Sequence, residues 1–160
     1  MVLLRENDTL NIENGLSDRP YQEIDKLKMR DYIENELCKV RYPYQDEETP
    51  REDVLIDDMQ KASIAMKERM HRYKLSSSFN IVVFAFGRGY SIYPTFNEVD
   101  LKENLDGNKL ECRMDERLLR RILDRKSHWN NAEIGAHINF IRSPNVYEPD
   151  LHTILQFFHL

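Results

Sequence analysis

The stretch SSSFNIVVFAFGRGYSIYPTF, residues 76–96, decides the fold. Residues 79–86 are mostly β-branched or aromatic, which is typical of a buried strand. A glycine-rich turn follows at residues 87–89, and Tyr90 and Ile92 begin a second strand. Gly-x-Gly after a strand is also found in dinucleotide-binding loops, but here the third glycine is missing and no helix follows. The stretch therefore predicts a β-hairpin.

A further strand is predicted on the C-terminal side of this hairpin. The segment NLDGNKLECRMD, residues 104–115, combines an Asp-Gly turn with Leu110, Cys112 and Met114 on one strand face. Strands that cluster around turn signals, and do not alternate with helices, indicate an α+β fold. We expect a largely antiparallel sheet of roughly four to six strands with helices packed on one face.

Two helices are predicted before the strands. The first runs from about Tyr21 to Val40, with Met29, Ile33 and Leu37 on its apolar stripe. The second begins at a capping box, Thr49–Glu52, with proline at the first helical position. Its apolar residues recur every three or four positions. They are Leu55, Met59, Ala62, Met66, Met70 and Tyr73. A methionine stripe can mark an adaptable ligand surface, but core packing is favoured here.

Two helices are predicted after the strands. Asp115 caps the first, and Pro149 opens the second. Their apolar faces are Leu118, Leu119, Ile122 and Leu123, and Leu151, Ile154, Leu155 and Phe158. Residues 1–20 are predicted to be an irregular arm, a candidate end of an upstream domain, and residues 21–160 an α+β domain.

Composition narrows the class of protein. The chain has 160 residues, is 41% hydrophobic and 32% charged, and carries a net charge of -5. This composition fits one soluble domain and argues against a nucleic-acid partner. No apolar run approaches the roughly 18 residues of a membrane span, and the N-terminus does not resemble a signal peptide. The two cysteines lack the spacing of a metal or redox motif, so we expect a cytoplasmic protein with reduced thiols.

Residues 128–145, HWNNAEIGAHINFIRSPN, are the richest in chemistry. The alternation from Ile134 to Phe140 predicts a strand, on which His137 faces outward. His128, Trp129, Asn130 and Asn131 then lie in the connection before the strand. They are predicted either to form a rim that contacts a ligand or another domain, or to be a loop anchored by a buried tryptophan.

Catalytic and metal signatures are weak. The five histidines show no metal-ligand spacing, no serine lies in a nucleophile elbow, and neither cysteine has a nucleophile signature. A small enzyme would need a site assembled by the fold, for which His128, Glu133 and His137 are the candidates. A local basic cluster consists of Arg113, Arg117, Arg120, Arg121, Arg125 and Lys126. It is either an anion contact, with Arg117, Arg120 and Arg121 as the candidates, or a solvated helix face, and the second interpretation is favoured.

Three segments resemble the sterol-carrier-protein-like domain. They are VVFAFGRGYSIYPTF at 82–96, DGNKLECRMDERLLRRILDRK at 106–126 and AEIGAHINF at 132–140. In that family a strand pair, a short leucine-rich helix, a small-residue strand and a final helix follow one another. The resemblance implies a sheet with helices over one face and, in many members, an apolar ligand tunnel. Here the tunnel would be bordered by Met66, Met70, Phe84, Phe86, Ile122 and Phe158.

A narrower resemblance covers residues 120–159. Their HWNNAEIG block and final aromatic-aromatic-His resemble the C-terminal end of metallo-β-lactamase-fold proteins related to CMP-N-acetylneuraminate and UDP-N-acetylmuramate hydroxylases. Residues 2–10, VLLRENDTL, resemble the end of the catalytic domain in such proteins. The His-x-His-x-Asp-His signature of that domain and a Rieske Cys/His pair are absent from this sequence, so no catalytic or metal-binding residue carries over.

The two resemblances together imply a non-catalytic accessory domain without a cofactor. It would bind an apolar ligand, cover the substrate site of a metal-dependent hydrolase or hydroxylase, or mediate assembly with that domain or with itself. The alternatives are a free-standing enzyme with a site near His128 and a protein-interaction module that docks through its methionine-rich helix.

Overall fold

The computed structural model describes Glu13, residues 24–100 and residues 107–160. The described chain falls into two compact units that divide between Arg41 and Tyr42. The predicted boundary at residue 20 lies outside the described residues.

The first unit contains helix α1, Lys26–Asn35, and a 3-10 helix, Leu37–Lys39. Asp25 caps α1, because its carboxylate accepts hydrogen bonds from two backbone N–H groups of the first turn at 3.0 and 3.2 Å. The predicted helix of residues 21–40 is therefore wrong in its extent, since the α-helix ends at Asn35. Its apolar stripe is not buried. Met29, Ile33, Leu37 and Val40 are all exposed.

The second unit combines α-helices with one sheet. After a 3-10 helix, Pro43–Asp46, its elements in chain order are α2 Glu52–Tyr73, β1 Phe79–Ala85, β2 Arg88–Tyr93, β3 Asn97–Val99, β4 Asn108–Arg113, α3 Glu116–Leu123, α4 Trp129–Ile134, β5 Asn139–Ser143 and α5 Pro149–Gln156. The strand order is β3-β2-β1-β4-β5. Strands β1 and β4 pair in parallel, and the other neighbouring pairs are antiparallel. The predicted α+β fold with a largely antiparallel sheet is confirmed.

The central hairpin is present, with its turn one residue earlier than predicted. Ala85 pairs with Arg88, so Phe86 and Gly87 form the two-residue turn, with φ angles of 51° and 75°. Two successive left-handed residues are what a type I′ hairpin turn requires. Arg88 and Gly89 belong to β2, not to the turn.

The Asp-Gly signal does not join an antiparallel pair. Gly107 precedes β4, which pairs in parallel with β1, and Asp106 lies outside the described residues. Parallel neighbours need a crossover connection and cannot be joined by a tight hairpin. The predicted strand is present as β4, and the predicted turn lies partly outside the described residues.

The core lies between one face of the sheet and helices α2 to α5. The methionine stripe of α2 is core, as favoured from the sequence, since Leu55, Met59, Ala62, Met66 and Met70 are all buried. Tyr73 is the exception. It is exposed, and its ring stacks on Phe157 at 5.4 Å.

The start of α2 differs from the predicted capping box. The N-cap is Arg51, with extended φ and ψ of -64° and 135°, and no side chain caps the helix. Thr49 and Pro50 therefore precede the helix. Glu52 and Asp53 occupy the first turn, where their negative charge favours the helix dipole.

The predicted strand at residues 134–140 is wrong in its first half. Residues 129–134 form helix α4, which buries Trp129 and Ala132 at positions i and i+3 and leaves Ile134 85% exposed. Strand β5 begins only at Asn139. The alternation of apolar residues was strand-like, but burial of the tryptophan by tertiary packing decided the local structure.

No helix in the described ranges has both the length and the apolar character that crossing a bilayer requires.

Candidate functional site

Residues 127–131, the rim segment, separate two clefts on the second unit. The larger, the C-terminal cleft, has a volume of about 360 Å³ and is lined by the rim segment, Ile122, Arg125 and residues 156–159. The smaller, the tyrosine cleft, has a volume of about 220 Å³. Residues 42–44 and His137 line it, together with part of the rim segment.

The end of α3 fixes the start of the rim segment. The backbone N–H of Lys126 donates to the carbonyl of Arg121 at 2.8 Å, and that of Arg125 donates to Ile122 at 3.0 Å. These two bonds form a Schellman motif, in which Arg125 occupies the left-handed position with φ 59°. Arg121 also donates from Nε to the Ser127 hydroxyl at 3.1 Å, which ties the segment to the helix.

Trp129 anchors the segment. It is only 3% exposed, and its ring meets that of Phe158 edge-on with centroids 6.2 Å apart. The indole N–H is buried without a hydrogen-bond acceptor in the part of the chain that the structure describes. His128, Asn130 and Asn131 are exposed around this anchor, and His128 makes no side-chain capping bond at the start of α4. The predicted loop is therefore a loop followed by the first turn of a helix.

The C-terminal cleft is polar and lacks acidic groups. Arg125, His128 and His159 line it with the side-chain amides of Asn130, Asn131 and Gln156, and no aspartate or glutamate is among its lining residues. Arg69 fixes the far wall, because its guanidinium donates to the carbonyls of residues 157 and 159 at 2.6 and 2.9 Å. The cleft therefore presents hydrogen-bond donors and positive charge.

His159 shows the electrostatic character of this cleft. Partial burial lowers its pKa below the usual 6.5, and the positive charges of Arg69, Arg125 and His128 lower it further. A hydrogen bond to the carbonyl of Leu160, at 2.8 Å, acts in the opposite direction. The imidazole is consequently neutral at pH 7 and ready to accept a proton if an anion arrives.

The tyrosine cleft is held together by internal contacts. The Tyr44 hydroxyl lies 3.3 Å from Nδ1 of His137, and the Tyr42 ring meets the same imidazole edge-on at 4.2 Å. Burial, and then the charge of Asp115, raise the pKa of Tyr44. Gly135 makes room for the imidazole, because a Cβ there would lie 2.6 Å from Cδ2 of His137.

His137 is therefore not the outward-facing strand residue predicted from the sequence. It follows α4 and lines the tyrosine cleft with His128. Glu133 does not join them, because its carboxylate contacts Nδ1 of His152 at 3.0 Å. The set of His128, Glu133 and His137 predicted for a free-standing enzyme is not assembled.

The arginines of the basic cluster that lie on α3 form ion pairs with carboxylates of the same chain. Arg117 pairs with Asp115 at 2.6 Å and also donates to the carbonyl of Gln45 at 2.6 Å. Arg120 bridges Asp58, at 2.7 Å, and Asp124, and Arg121 pairs with Glu47. The anion contact considered for Arg117, Arg120 and Arg121 gains no support, because carboxylates of the chain already pair with these guanidinium groups.

The six residues predicted to border an apolar cavity do not line one common cleft. Only Ile122 and Phe158 line the C-terminal cleft, and none of the six lines the tyrosine cleft. Met66 and Met70 are packed in the core. Phe84 is only half-buried and lies under the guanidinium of Arg113, with 4.0 Å from Cζ to the ring centroid.

Sequence reasoning missed several residues of these clefts. Tyr42, Tyr44, Gln156 and His159 come from segments distant in sequence from the rim, and only the fold brings them together. Arg125 belonged to the predicted basic cluster, but no signal in the sequence indicated its left-handed conformation or that no carboxylate of the described residues would pair with it.

The described residues give little support for a metal site or for a cysteine nucleophile. The described ranges contain no group of three or more His, Cys, Asp or Glu residues arranged to hold a metal ion. Cys112 is fully buried, and burial raises the pKa of its thiol, so it is unsuited to act as a nucleophile. Comparisons with protein-family models, curated proteins and solved structures found no match.

Proposed function

We propose that this chain is a non-catalytic accessory domain that works beside a metallo-β-lactamase-fold hydrolase or hydroxylase domain. In this proposal His128, Asn130 and Asn131 of the rim segment face the substrate site or the surface of that domain, and Trp129 holds them in place. The chain itself supplies no metal and no catalytic group.

The order of elements supports the sterol-carrier-like part of the proposal. A strand pair, β1 and β2, is followed by β4, the leucine-rich α3, β5 and the final helix α5. The helices α2 to α5 share a core with one face of the sheet. This order resembles the one that the sequence resemblance implies, except that the predicted small-residue strand at 132–140 begins within α4 and becomes a strand only at Asn139.

The observation that carries the proposal is the contrast within the rim segment. Trp129 is buried, whereas His128, Asn130 and Asn131 are exposed beside a cleft of about 360 Å³. Neither asparagine amide is hydrogen-bonded to another side chain in the described part of the protein. Polar groups that are rigidly placed and lack internal partners are those that a ligand or partner can use.

The geometry favours a covering or contact role over carriage of an apolar ligand. The methionines of the predicted tunnel are packed in the core, and the larger cleft combines charged and amide side chains with the apolar residues Ile122, Trp129, Phe157 and Phe158. A native mass spectrum of the purified chain separates the two roles. A co-purified lipid, identified after solvent extraction, would replace the covering role with carriage.

The direct test begins with the gene. A metallo-β-lactamase-fold domain with the His-x-His-x-Asp-His signature is expected in the same reading frame or an adjacent one. Expressed separately, the two parts should form a complex on size-exclusion chromatography, and metal-dependent turnover should be higher with this chain than without it. The absence of such a coding sequence, or of both complex and stimulation, would refute the proposal.

A further inference from the structure

The C-terminal cleft has one arginine that differs from its neighbours. Arg125 is exposed, and within the described ranges no carboxylate forms an ion pair with it. Arg117, Arg120 and Arg121, which lie on the preceding helix, each pair with an aspartate or glutamate. In a chain with a net charge of -5, an unpaired guanidinium in a cleft without acidic lining residues is available for a ligand.

The backbone of Arg125 offers a route to a clean variant. Its φ of 59° places an arginine at the left-handed C′ position of a Schellman motif, where glycine is preferred because it has no Cβ. Lys74 at the end of α2 has the same conformation, with φ 55°, and lines neither cleft. The backbone is therefore common to both residues, and the position of Arg125 in the cleft is what distinguishes it.

The rest of the cleft complements a negative charge. His128 and His159 both line the cleft, and His128 is among the groups that lower the pKa of His159. The amides of Asn130, Asn131 and Gln156 add donors. The indole N–H of Trp129, which is 3% exposed, is buried without an acceptor among the described residues.

We infer that the C-terminal cleft binds an oxyanion, either a phosphate or a carboxylate group of a small molecule, between Arg125, His128 and His159. The inference deepens the proposed function and rests on it, because it names the kind of group that the rim segment helps to bind. A volume of about 360 Å³ lies within the usual range of small-molecule sites, roughly 300–1,000 Å³. Arginine binds either oxyanion through two parallel N–H donors.

The test uses NMR of the histidine ring protons in the isolated chain at constant ionic strength. Sulfate, phosphate and acetate are titrated separately, with sulfate as the dianion that does not itself titrate near neutral pH. The signals of His128 and His159 should shift saturably, with dissociation constants on the order of 1–10 mM, while exposed His71 on α2 should not respond. A stronger response to sulfate and phosphate than to acetate assigns a phosphate-type group, and the reverse order assigns a carboxylate.

The decisive variant is Arg125→Gly, which keeps the backbone conformation and removes the charge. It should weaken binding by about tenfold or more. The matched control is Lys74→Gly, because Lys74 is an exposed basic residue with φ 55° at the end of α2 and does not line the cleft. The control should bind as the parent chain does.

Two results would overturn the inference: no saturable shift with any of the three anions, or equal affinity in Arg125→Gly and the parent chain. Because the titration needs no catalytic domain, failure here leaves the complex and turnover tests of the proposed function intact. If instead the chain binds an anion saturably but forms no complex, the anion site stands and the proposed accessory role fails.

Discussion

The tyrosine cleft and the C-terminal cleft share the rim segment but differ in how their polar groups are satisfied. In the tyrosine cleft, the imidazole of His137 already contacts the Tyr44 hydroxyl and the Tyr42 ring. In the C-terminal cleft, Arg125 has no carboxylate partner among the described residues, and the Trp129 N–H has no acceptor there. Polar groups with internal partners hold the fold, whereas those without them are available for binding.

The largest expected effect concerns the anchor that both clefts share. Trp129→Ala should lower the free energy of unfolding by about 3–5 kcal/mol, because it removes a buried aromatic side chain from its contact with Phe158. Urea denaturation measures this loss. Trp129→Phe should cost less, since it keeps one aromatic ring and loses the five-membered ring with its N–H donor, which lacks an acceptor among the described residues. Equal losses in the two variants would mean that the indole N–H has an unrecognised partner.

The same residue shows what the sequence could and could not predict. Strands β1, β2 and β4 and helices α3 and α5 follow from local patterns, such as Asp115 accepting from the N–H of Arg117 at 2.9 Å. Helix α4 has only six residues, and neither it nor the strand-like alternation that follows from Ile134 to Phe140 indicated that Trp129 is buried against distant Phe158. Local periodicity cannot reveal a contact between segments separated in sequence.

The candidate site was predictable only in part. The block His128–Asn131 was recognised from its composition, and it lines the larger cleft. The state of the arginines could not be decided from the sequence, because Asp58, the partner of Arg120, lies within α2, and Glu47, the partner of Arg121, lies before it. Whether a charge is free or neutralised depends on tertiary structure, so composition alone did not distinguish the paired arginines from Arg125 in the same basic cluster.

A second prediction tests how closely Gly135 packs against the imidazole of His137 in the tyrosine cleft. Gly135→Ala should cost about 1–3 kcal/mol, because its Cβ would lie 2.6 Å from Cδ2 of His137, which the two tyrosines hold in place. Urea denaturation should detect the loss. In a His137→Ala background the cost should fall, leaving only the approach of the new Cβ to the Asn131 carbonyl at 3.0 Å, and an undiminished cost there would show that the imidazole is not the source of the strain.

A third prediction contrasts stability with binding in the C-terminal cleft. Arg125→Gly should raise the free energy of unfolding by about 1 kcal/mol, because glycine adopts a φ of 59° without strain. Lys74→Gly, with φ 55°, should gain a similar amount. Thermal and urea unfolding of the two variants provide the measurement. A clear loss of stability in Arg125→Gly alone would indicate that the guanidinium is held by an internal partner.

A smaller effect is expected from pH. Burial and neighbouring positive charges hold the folded-state pKa of His159 below 6.5, so the unfolded chain binds the proton more readily. Stability should therefore be fully present above pH 6.5 and fall as the pH drops below it. The carboxylates of Asp58 and Asp115, whose pKa values are lowered below 3.8, lose their contribution only at lower pH.

The check for this effect is a series of melting temperatures between about pH 7.5 and pH 5, where histidine titrates and most carboxylates do not. His159→Gln should flatten the profile. Added sulfate should also reduce the slope, since an anion in the cleft stabilises the protonated imidazole. A profile identical in the parent chain and in His159→Gln would contradict the role given to this residue.

The most direct test of the rim segment as a functional surface is the double variant Asn130→Ala and Asn131→Ala. Its melting temperature and its affinity for the metallo-β-lactamase-fold domain, or the turnover of the joined protein, are measured together. The matched control is Asn139→Ala with Asn145→Ala, since both residues are exposed and neither lines a cleft. We expect a nearly unchanged melting temperature and a clear loss of affinity or turnover in the rim variant only. A large loss of stability with undiminished affinity and turnover per folded molecule would show that the segment is merely structural.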